Sequence, residues 1–289
     1  MLGEAFHKVY GTQNALRCTD KDVNADWLES LDFRDADAYA QDVAEFQPDY
    51  LFHLGALTSL EECEQDPDNA YATNTLAVET AVHIANRLEI PLLYISTAGI
   101  FDGRQEVYDD WDTPAPLGHY ARSKYMGERF VAENLHQHLV CRAGWMMGSG
   151  PSKDKEFIQK LMAQIKAGKR ELHVVDDKLG TPTYTHDFAR NAGLLLAREY
   201  WGVYNMVCAG VTGRLEVAQE LVRLIGMQDD THITPVSSDY FAKEYFAARP
   251  PSERLLTKKL ELRGCNLMRD WRVCLPEYLQ DYYEGYLDA

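Results

Sequence analysis

The stretch NTLAVETAVHIANRLEI (Asn74–Ile90) runs directly into PLLYISTAGIF (Pro91–Phe101), and the two segments differ in their periodicity. In the first segment, Leu76 and Ile84 recur at the spacing of one helix face, which predicts an amphipathic helix. The second segment is a short apolar run that ends near the hydroxyl residue Thr97, as is typical of a buried strand. The chain therefore passes from a helix to a buried strand within 28 residues.

The same alternation continues along the rest of the chain. Further apolar runs with the composition of buried strands are NALRCTD, YLFHLGA, LVCRAGWMMG and GVYNMVCAG. A second helical segment, SKYMGERFVAENLHQH, follows the strand of the opening stretch. Because strands that alternate with helices form right-handed βαβ units, we predict an α/β fold with a doubly wound, mostly parallel sheet. After about residue 146 the rhythm loosens, which predicts a smaller lobe over the carboxyl edge of the sheet.

The composition excludes several classes of partner. The chain has 289 residues, 46% of them hydrophobic, and a formal net charge of −16. This charge argues against nucleic acid or an anionic membrane as a partner, because phosphate binding relies on clustered Lys and Arg. The six cysteines show no metal-ligand spacing and predict reduced thiols in a cytoplasmic protein. No apolar run approaches the length of a membrane span.

The segment GHYARSKYMGE (Gly118–Glu128) places Tyr120 and Lys124 four residues apart, on one face of the predicted helix. Residues at the carboxyl end of a strand face the ligand crevice of an open α/β sheet, so Thr97 is expected beside this pair. Together the three residues supply the groups that carbonyl reduction requires. Thr97 would hold the substrate oxygen, Tyr120 would donate a proton, and a reduced nicotinamide would supply the hydride. We expect the ammonium of Lys124 to lower the pKa of Tyr120.

The chain resembles the extended short-chain dehydrogenases/reductases and, within them, the dTDP-4-dehydrorhamnose reductase family. The resemblance is spread over nearly the whole chain. The matching motifs are ISTAGIFDG (95–103), HYARSKYMGE (119–128), CRAGWMMGSG (141–150), VVDDKLGTPTYTHDFA (174–189), ARPPSERLLTKKLE (248–261) and WRVCLPEYLQDYY (271–283). It implies a Rossmann-like dinucleotide-binding domain over residues 1–145, to which 181–208 return. The substrate-binding lobe would comprise 146–180 and 209–289.

The resemblance also implies a function. That function is NAD(P)H-dependent reduction of the 4-keto group of a nucleotide-activated 6-deoxy sugar. Two alternatives stay open: another sugar-nucleotide enzyme, an epimerase or dehydratase, and a non-catalytic NAD(P)-binding subunit like that of methionine adenosyltransferase. The epimerase or dehydratase would need further acid and base groups, and no obvious pair of carboxylates flanks Thr97 in the sequence. The implied partner is a sugar nucleotide, and a homodimer is left open.

The family's site residues carry over position by position. The catalytic set is Thr97, Tyr120 and Lys124. The cofactor-binding positions, for NAD or NADP, are Gly3, Asp20, Asp32, Phe33, Gly55, Ala56, Leu57, Asn74, Tyr120 and Lys124. The substrate-binding positions are Leu60, Thr97, Trp145 and Arg249, and no metal is expected.

Several of these residues have simpler structural interpretations. Asn74 could tie neighbouring segments together, Trp145 could be ordinary core, and Arg249 could anchor the C-terminal lobe without touching the substrate. Asp20 lies where a carboxylate accepts hydrogen bonds from a ribose 2′-hydroxyl, which favours NADH. Lys21 beside it could tolerate a 2′-phosphate, so NADPH stays open.

Two departures from the family pattern bear on the pocket and on the cofactor. Gly99 stands where the family commonly has a tyrosine, which enlarges the pocket and leaves the identity of the sugar open. The chain also begins MLGEAFHKVYG, which is similar to the last residues of the family's glycine loop running into a helix. Gly3 would be the third glycine, where helix and strand pack closely. We therefore expect the first strand and most of the loop to be encoded by roughly ten residues upstream of Met1.

Overall fold

A parallel sheet lies at the centre of the structure, a computed structural model that describes residues 1–154 and 156–288. The strands are β1 (Thr19–Asp20), β2 (Glu29–Ser30), β3 (Leu51–His53), β4 (Leu92–Thr97), β5 (His138–Ala143), β6 (Trp145–Met147), β7 (Glu171–Val175), β8 (Leu179–Gly180), β9 (Pro182–Tyr184), β10 (Gly202–Asn205), β11 (Thr212–Gly213), β12 (His232–Val236) and β13 (Ser252–Glu253). The central sheet has four strands in the order β10-β5-β4-β3, and all of its pairings are parallel.

Helices cover both faces of this sheet. The helices of the described chain are α1 (Leu2–Tyr10), α2 (Ala36–Phe46), α3 (Leu60–Gln65), α4 (Pro67–Tyr71), α5 (Ala77–Leu88), α6 (His119–Asn134), α7 (Gly150–Lys153), α8 (Phe157–Lys166), α9 (Thr185–Ala197), α10 (Arg214–Leu224), α11 (Lys258–Leu262) and α12 (Trp271–Tyr283). Strand β4 shows why two layers form, because successive strand side chains point to opposite faces. Leu93 and Ile95 pack with α1 and α9, whereas Leu92 and Tyr94 pack with α2, α5 and α6. The predicted doubly wound α/β fold is confirmed.

The opening stretch forms the predicted helix and strand, but the buried face of the helix differs from the prediction. Leu76 is 57% exposed, whereas Val78, Ala81 and Val82 are fully buried. The segment 72–76 is a π-helical turn, which shifts the residues before α5 relative to an ideal α-helix. The apolar face therefore cannot be extended backward from Ile84 to Leu76 by helical spacing.

The run NALRCTD is not a buried strand over most of its length. Only Thr19–Asp20 is extended, and it pairs with β2 as a separate two-stranded sheet. Leu16 is exposed, because no strand of the described residues joins β1 to the central sheet. The close packing expected at Gly3, the second residue of α1, is also not found. A Cβ added at Gly3 would meet nothing within 4 Å in the described chain.

A second apolar core lies in the C-terminal part of the chain. Its buried residues come mainly from α8, α10 and α12, and they include Leu161, Leu221 and Leu275. Strand β10 lies beside β5 in the central sheet, as expected for a segment that returns to the first domain. The domain boundaries themselves stay a prediction. No helix in the described part of the chain is both long and apolar enough to cross a membrane.

A buried ion pair fixes α6 to the central sheet. The Nη2 atom of Arg142 on β5 lies 2.6 Å from Oε1 of Glu128, and both side chains are almost completely buried. The neighbouring Gly127 allows a close approach on the helix, since a Cβ there would lie 2.7 Å from the carbonyl oxygen of Asn74. The ion pair between Glu128 and Arg142 and the absence of a side chain at Gly127 therefore both help to set the orientation of α6.

We expect Glu128→Ala to lower the free energy of unfolding by about 3–5 kcal/mol, because it leaves the Arg142 guanidinium buried without its carboxylate. The matched control is Glu133→Ala on the same helix, which breaks an exposed pair with Arg129. The control should cost less than about 1 kcal/mol. Urea unfolding followed by circular dichroism measures both values, and equal losses would contradict the role given to Glu128.

Candidate active site

The hydroxyls of Thr97 and Tyr120 meet at the carboxyl end of β4. Thr97 is the last residue of this strand, and Tyr120 lies in the first turn of α6. The Thr97 hydroxyl lies close enough to Tyr120 to lower the pKa of its phenol, and the Thr97 oxygen accepts the N–H of Gly99 at 3.1 Å. The structure thus brings together the two hydroxyl groups that the sequence placed on different elements.

The pKa of Tyr120 is raised above its usual value, chiefly by burial, and the hydrogen bond with Thr97 offsets only part of this effect. The negative charges of Glu253 and Glu156 act in the same direction as burial. The predicted net lowering of this pKa is not found, because the burial of the phenol outweighs the effects that favour its phenolate. Tyr120 is a neutral phenol at neutral pH, which is the protonation state that a general acid requires.

Lys124 lies one turn further along α6, under the surface of the protein. Its side chain is 3% exposed, and its ammonium lies 4.3 Å from the centroid of the Tyr94 ring. Burial lowers the pKa of Lys124 to about 7, and the charge of Glu128 opposes this shift. Among the described residues, no hydrogen-bond acceptor contacts the ammonium. A buried cation without an acceptor is costly, so this site fits a ligand that supplies one, such as the hydroxyls of a nicotinamide ribose.

Asn74 holds the loop that follows β3. Its side-chain oxygen accepts the N–H of Leu57 at 2.9 Å, and its amide donates to the Leu57 carbonyl oxygen at 3.0 Å. The same amide donates to Ser123 on α6 at 3.1 Å. Asn74 is completely buried, so the structural interpretation of this residue applies. It positions Leu57, a predicted cofactor-binding residue, relative to the helix that carries Tyr120.

Gly55 and Phe33 contact each other on the cofactor side of the sheet. A Cβ at Gly55 would lie 2.2 Å from the Phe33 ring, so only glycine fits this position. Gly55 was predicted to bind the cofactor, and in the described chain its missing side chain makes room for the ring of Phe33. Ala56 lies next to Gly55 in the same loop and is partly buried.

The two predicted carboxylates of the cofactor site differ in their surroundings. Asp20 ends β1, where its carboxylate accepts the N–H of Asp22 at 3.1 Å and lies 3.9 Å from the ammonium of Lys153. Asp32 is engaged by Arg34 at 2.5 Å, and this hydrogen bond holds the pKa of Asp32 at about 2. The carboxylate of Asp20 therefore remains accessible to a ribose, whereas the carboxylate of Asp32 is already hydrogen-bonded to Arg34.

A cavity opens in front of Tyr120. Its lining includes Leu60, Gly99, Pro250 and Glu253. Leu60 thus lies where the sequence predicted a substrate contact, and the absence of a side chain at Gly99 leaves room beside Thr97. The Oε1 atom of Glu253 lies 3.2 Å from the position that a Cβ of residue 99 would occupy.

Glu253 was not predicted from the sequence. It lies in β13, at the rim of this cavity, and its Oε2 accepts the indole N–H of Trp145 at 3.0 Å. Trp145 also lines a second cavity on the other side of this hydrogen bond. Trp145 thus lines one cavity and holds a residue that lines the other, and its contact with the substrate stays a prediction. The only sequence signal for Glu253 was that it is an acidic residue within the motif ARPPSERLLTKKLE (248–261). It lies 108 positions after Trp145 in the chain.

Arg249 is not brought into either cavity. Its guanidinium donates to Glu61 on α3 at 2.6 and 2.9 Å, and to the Ala247 carbonyl oxygen at 3.1 Å. Its neighbours Ala248 and Pro250 line the cavity in front of Tyr120 instead. The alternative interpretation of Arg249, an anchor of the C-terminal segment, is the one that the geometry favours.

Comparison with known proteins places the chain in a family. The model of the RmlD substrate binding domain matches residues 2–284. The chain belongs to this family. The predicted resemblance is thereby confirmed, because other members of the family carry the name dTDP-4-dehydrorhamnose reductase.

Two curated proteins show how similar its relatives are in sequence. The spore coat polysaccharide biosynthesis protein SpsK of Bacillus subtilis is 30% identical over 237 residues, which cover 82% of this chain and 80% of that protein. A dTDP-4-dehydrorhamnose reductase of Mycobacterium tuberculosis is 31% identical over 240 residues, which cover 80% of this chain and 76% of that protein.

Two solved structures show the same relation in three dimensions. A dTDP-4-dehydrorhamnose reductase of Clostridium acetobutylicum matches with a TM-score of 0.84 at 26% identity, over 96% of this chain and 95% of that chain. The enzyme of the same name from Bacillus anthracis, in complex with NADP, matches with a TM-score of 0.80 at 28% identity, over 89% of each chain. The RmlD fold thus extends over nearly the whole described chain.

We expect Tyr120→Phe to lower kcat by roughly 10²-fold or more, because it removes the proton donor and keeps the ring. Steady-state rates of NADPH oxidation with a 4-keto sugar nucleotide measure this. Tyr125→Phe on the same helix serves as the control and should retain normal turnover. A near-normal kcat for Tyr120→Phe would contradict the assignment of the acid.

We expect Trp145→Phe to raise the KM for the sugar nucleotide by about tenfold, because it frees the Glu253 carboxylate from its indole donor. NADPH affinity, measured by fluorescence titration, should not change. The opposite pattern, a weakened NADPH affinity with unchanged sugar kinetics, would show that Trp145 binds the cofactor and not the substrate.

Proposed function

We propose that this protein is an NAD(P)H-dependent oxidoreductase that reduces the 4-keto group of a nucleotide-activated 6-deoxy sugar. The hydroxyls of Thr97 and Tyr120, which lie close together at the carboxyl end of β4, carry this proposal, since Tyr120 lines a cavity and the buried Lys124 follows it on α6. The names of the similar reductases support the sugar class, with dTDP-4-dehydrorhamnose as the first substrate to test.

Three residues of the chain have different roles in the proposed reduction. Thr97 donates a hydrogen bond to the ketone oxygen, and Tyr120 transfers its proton to that oxygen as the carbonyl becomes a hydroxyl. A reduced nicotinamide, when bound, supplies the hydride to the carbon. The cation of Lys124 stabilises the phenolate that Tyr120 leaves behind. No metal is needed in this scheme.

The fit of the cofactor rests on three observations in this chain. The ammonium of Lys124 lacks an acceptor among the described residues, the Leu57 loop is held by Asn74, and Asp20 is accessible at the end of β1. The Bacillus anthracis relative is in complex with NADP. The ammonium of Lys153 near Asp20 would also favour a 2′-phosphate, so we propose that both NADPH and NADH serve as donors.

A second candidate function is favoured by one observation, the carboxylate of Glu253. An epimerase or dehydratase needs an acid or base beside the sugar, and Glu253 lies close to Gly99 at that place. This carboxylate is held by Trp145, so we assign it to sugar binding in the reductase. An epimerase or dehydratase would convert its substrate without net loss of NADPH.

We expect one NADPH to be oxidised for each molecule of dTDP-4-dehydrorhamnose that is consumed, because each ketone takes up one hydride. Absorbance of the nicotinamide and chromatography of the nucleotide sugars give the two quantities. Tyr120→Phe is the blank. Sugar conversion without NADPH loss would favour the second candidate, and cofactor binding without any turnover would favour a regulatory subunit.

We further propose that the protein is cytoplasmic and forms a homodimer. The six cysteines are all free thiols, which suits a reducing compartment. Leu76, just before α5, is 57% exposed, and Met126, within α6, is 50% exposed. Contiguous exposed apolar surface can mark a contact between copies, and these two side chains would be its starting point. Sedimentation of the wild type and of Met126→Lys tests the dimer, which the lysine should weaken.

A further inference from the structure

A guanidinium without a carboxylate partner lies beside Trp145. Arg214 is the first residue of α10, and its guanidinium carbon lies 4.2 Å from the ring centroid of Trp145 and 4.8 Å from that of Phe157. Within residues 1–154 and 156–288, its side chain makes no hydrogen bond, and no carboxylate oxygen lies within 4.0 Å of it. Most other buried or half-buried arginines here, such as Arg142 and Arg254, are paired with a glutamate.

The surroundings of Arg214 make the absence of a partner costly. Burial lowers the pKa of Arg214, although the more distant carboxylates of Glu253 and Glu156 oppose the shift. Stacking on aromatic rings compensates for only part of the lost hydration of a cation. A ligand that brings an anion to this place would supply the hydrogen-bond acceptors that the described chain does not.

The position of Arg214 indicates which ligand group that is. Arg214 lines the second cavity together with Trp145, Met147 and Phe157. Trp145 in turn donates to Glu253, which lines the cavity in front of Tyr120. A ligand that places its sugar at Tyr120 and extends past the Trp145–Glu253 pair therefore reaches Arg214 with its next group. In the described lining of the two cavities, Arg214 is the sole lysine or arginine.

We propose that Arg214 binds the diphosphate of the sugar nucleotide and so fixes the distance between the sugar and Tyr120. This proposal rests on the proposed function for the identity of the sugar, but not for the binding of a diphosphate. The planar guanidinium presents paired N–H donors that match two phosphate oxygens. In a protein with a net charge of −16, such a local cation offsets part of the repulsion that a dianionic group meets.

The test measures binding by titration calorimetry and needs no turnover. The ligands are dTDP, thymidine and inorganic pyrophosphate, and the variants are Arg214→Met and Arg214→Lys. Arg223→Met is the control, because Arg223 lies on the same helix, is exposed, and pairs with Glu220. For Arg214→Met we expect the affinity for dTDP to fall roughly 10- to 100-fold, with Arg214→Lys in between. The affinity for thymidine, and that for NADPH titrated in parallel, should not change, whereas any affinity for pyrophosphate should fall with that for dTDP. The control should match the wild type.

Three results would overturn the proposal. One is an unchanged dTDP affinity in Arg214→Met with a lowered Tm, which would make Arg214 a structural stacking residue. Another is an equal loss for thymidine and dTDP, which would place the base rather than the diphosphate at Arg214. The third is the absence of dTDP binding by the wild type. If the wild type binds dTDP through Arg214 yet never oxidises NADPH, the reductase proposal fails and the diphosphate site stands.

Discussion

The buried ion pair between Glu128 and Arg142 is the interaction on which the active site depends, because it fixes α6 against β5. The helix can approach this closely only because residue 127 has no side chain. Tyr120 begins the same helix, so its hydroxyl reaches Thr97 at the end of β4 only if the helix keeps this position. Proton transfer tolerates little displacement of the donor, which explains why such a costly buried charge pair has a place beside the site.

The two halves of the site come from different layers of the molecule and are joined by a few polar contacts. Asn74 joins the loop after β3 to α6, while Arg249 joins the C-terminal segment to α3 through Glu61. The indole N–H of Trp145 completes the connection by holding Glu253. Apolar packing also joins the C-terminal segment to the central sheet, since Leu260 and Met268 belong to the same buried core cluster as Leu93.

The parts of this architecture that local periodicity encodes could be predicted from the sequence. Strand β4 alternates between two buried faces, and Tyr120 and Lys124 share a helix face, so both were readable from spacing. Glu253 and Arg214 could not be found in this way, because their partners lie 108 and 69 positions away, at Trp145. The sign of the pKa shift of Tyr120 was also missed, since the spacing of residues does not show how deeply other elements bury a hydroxyl at the start of a helix.

The burial of Lys124 has a consequence for the energetics of the whole site. With a pKa of about 7, this lysine is only partly protonated in neutral solution, unlike an ordinary lysine. A ligand that hydrogen-bonds to the ammonium form must therefore draw a proton from the solvent as it binds. The heat of that association then depends on the ionisation enthalpy of the buffer, and the affinity declines as the medium becomes more alkaline. The site is thus coupled to the acidity of its surroundings through a residue that never reaches the surface.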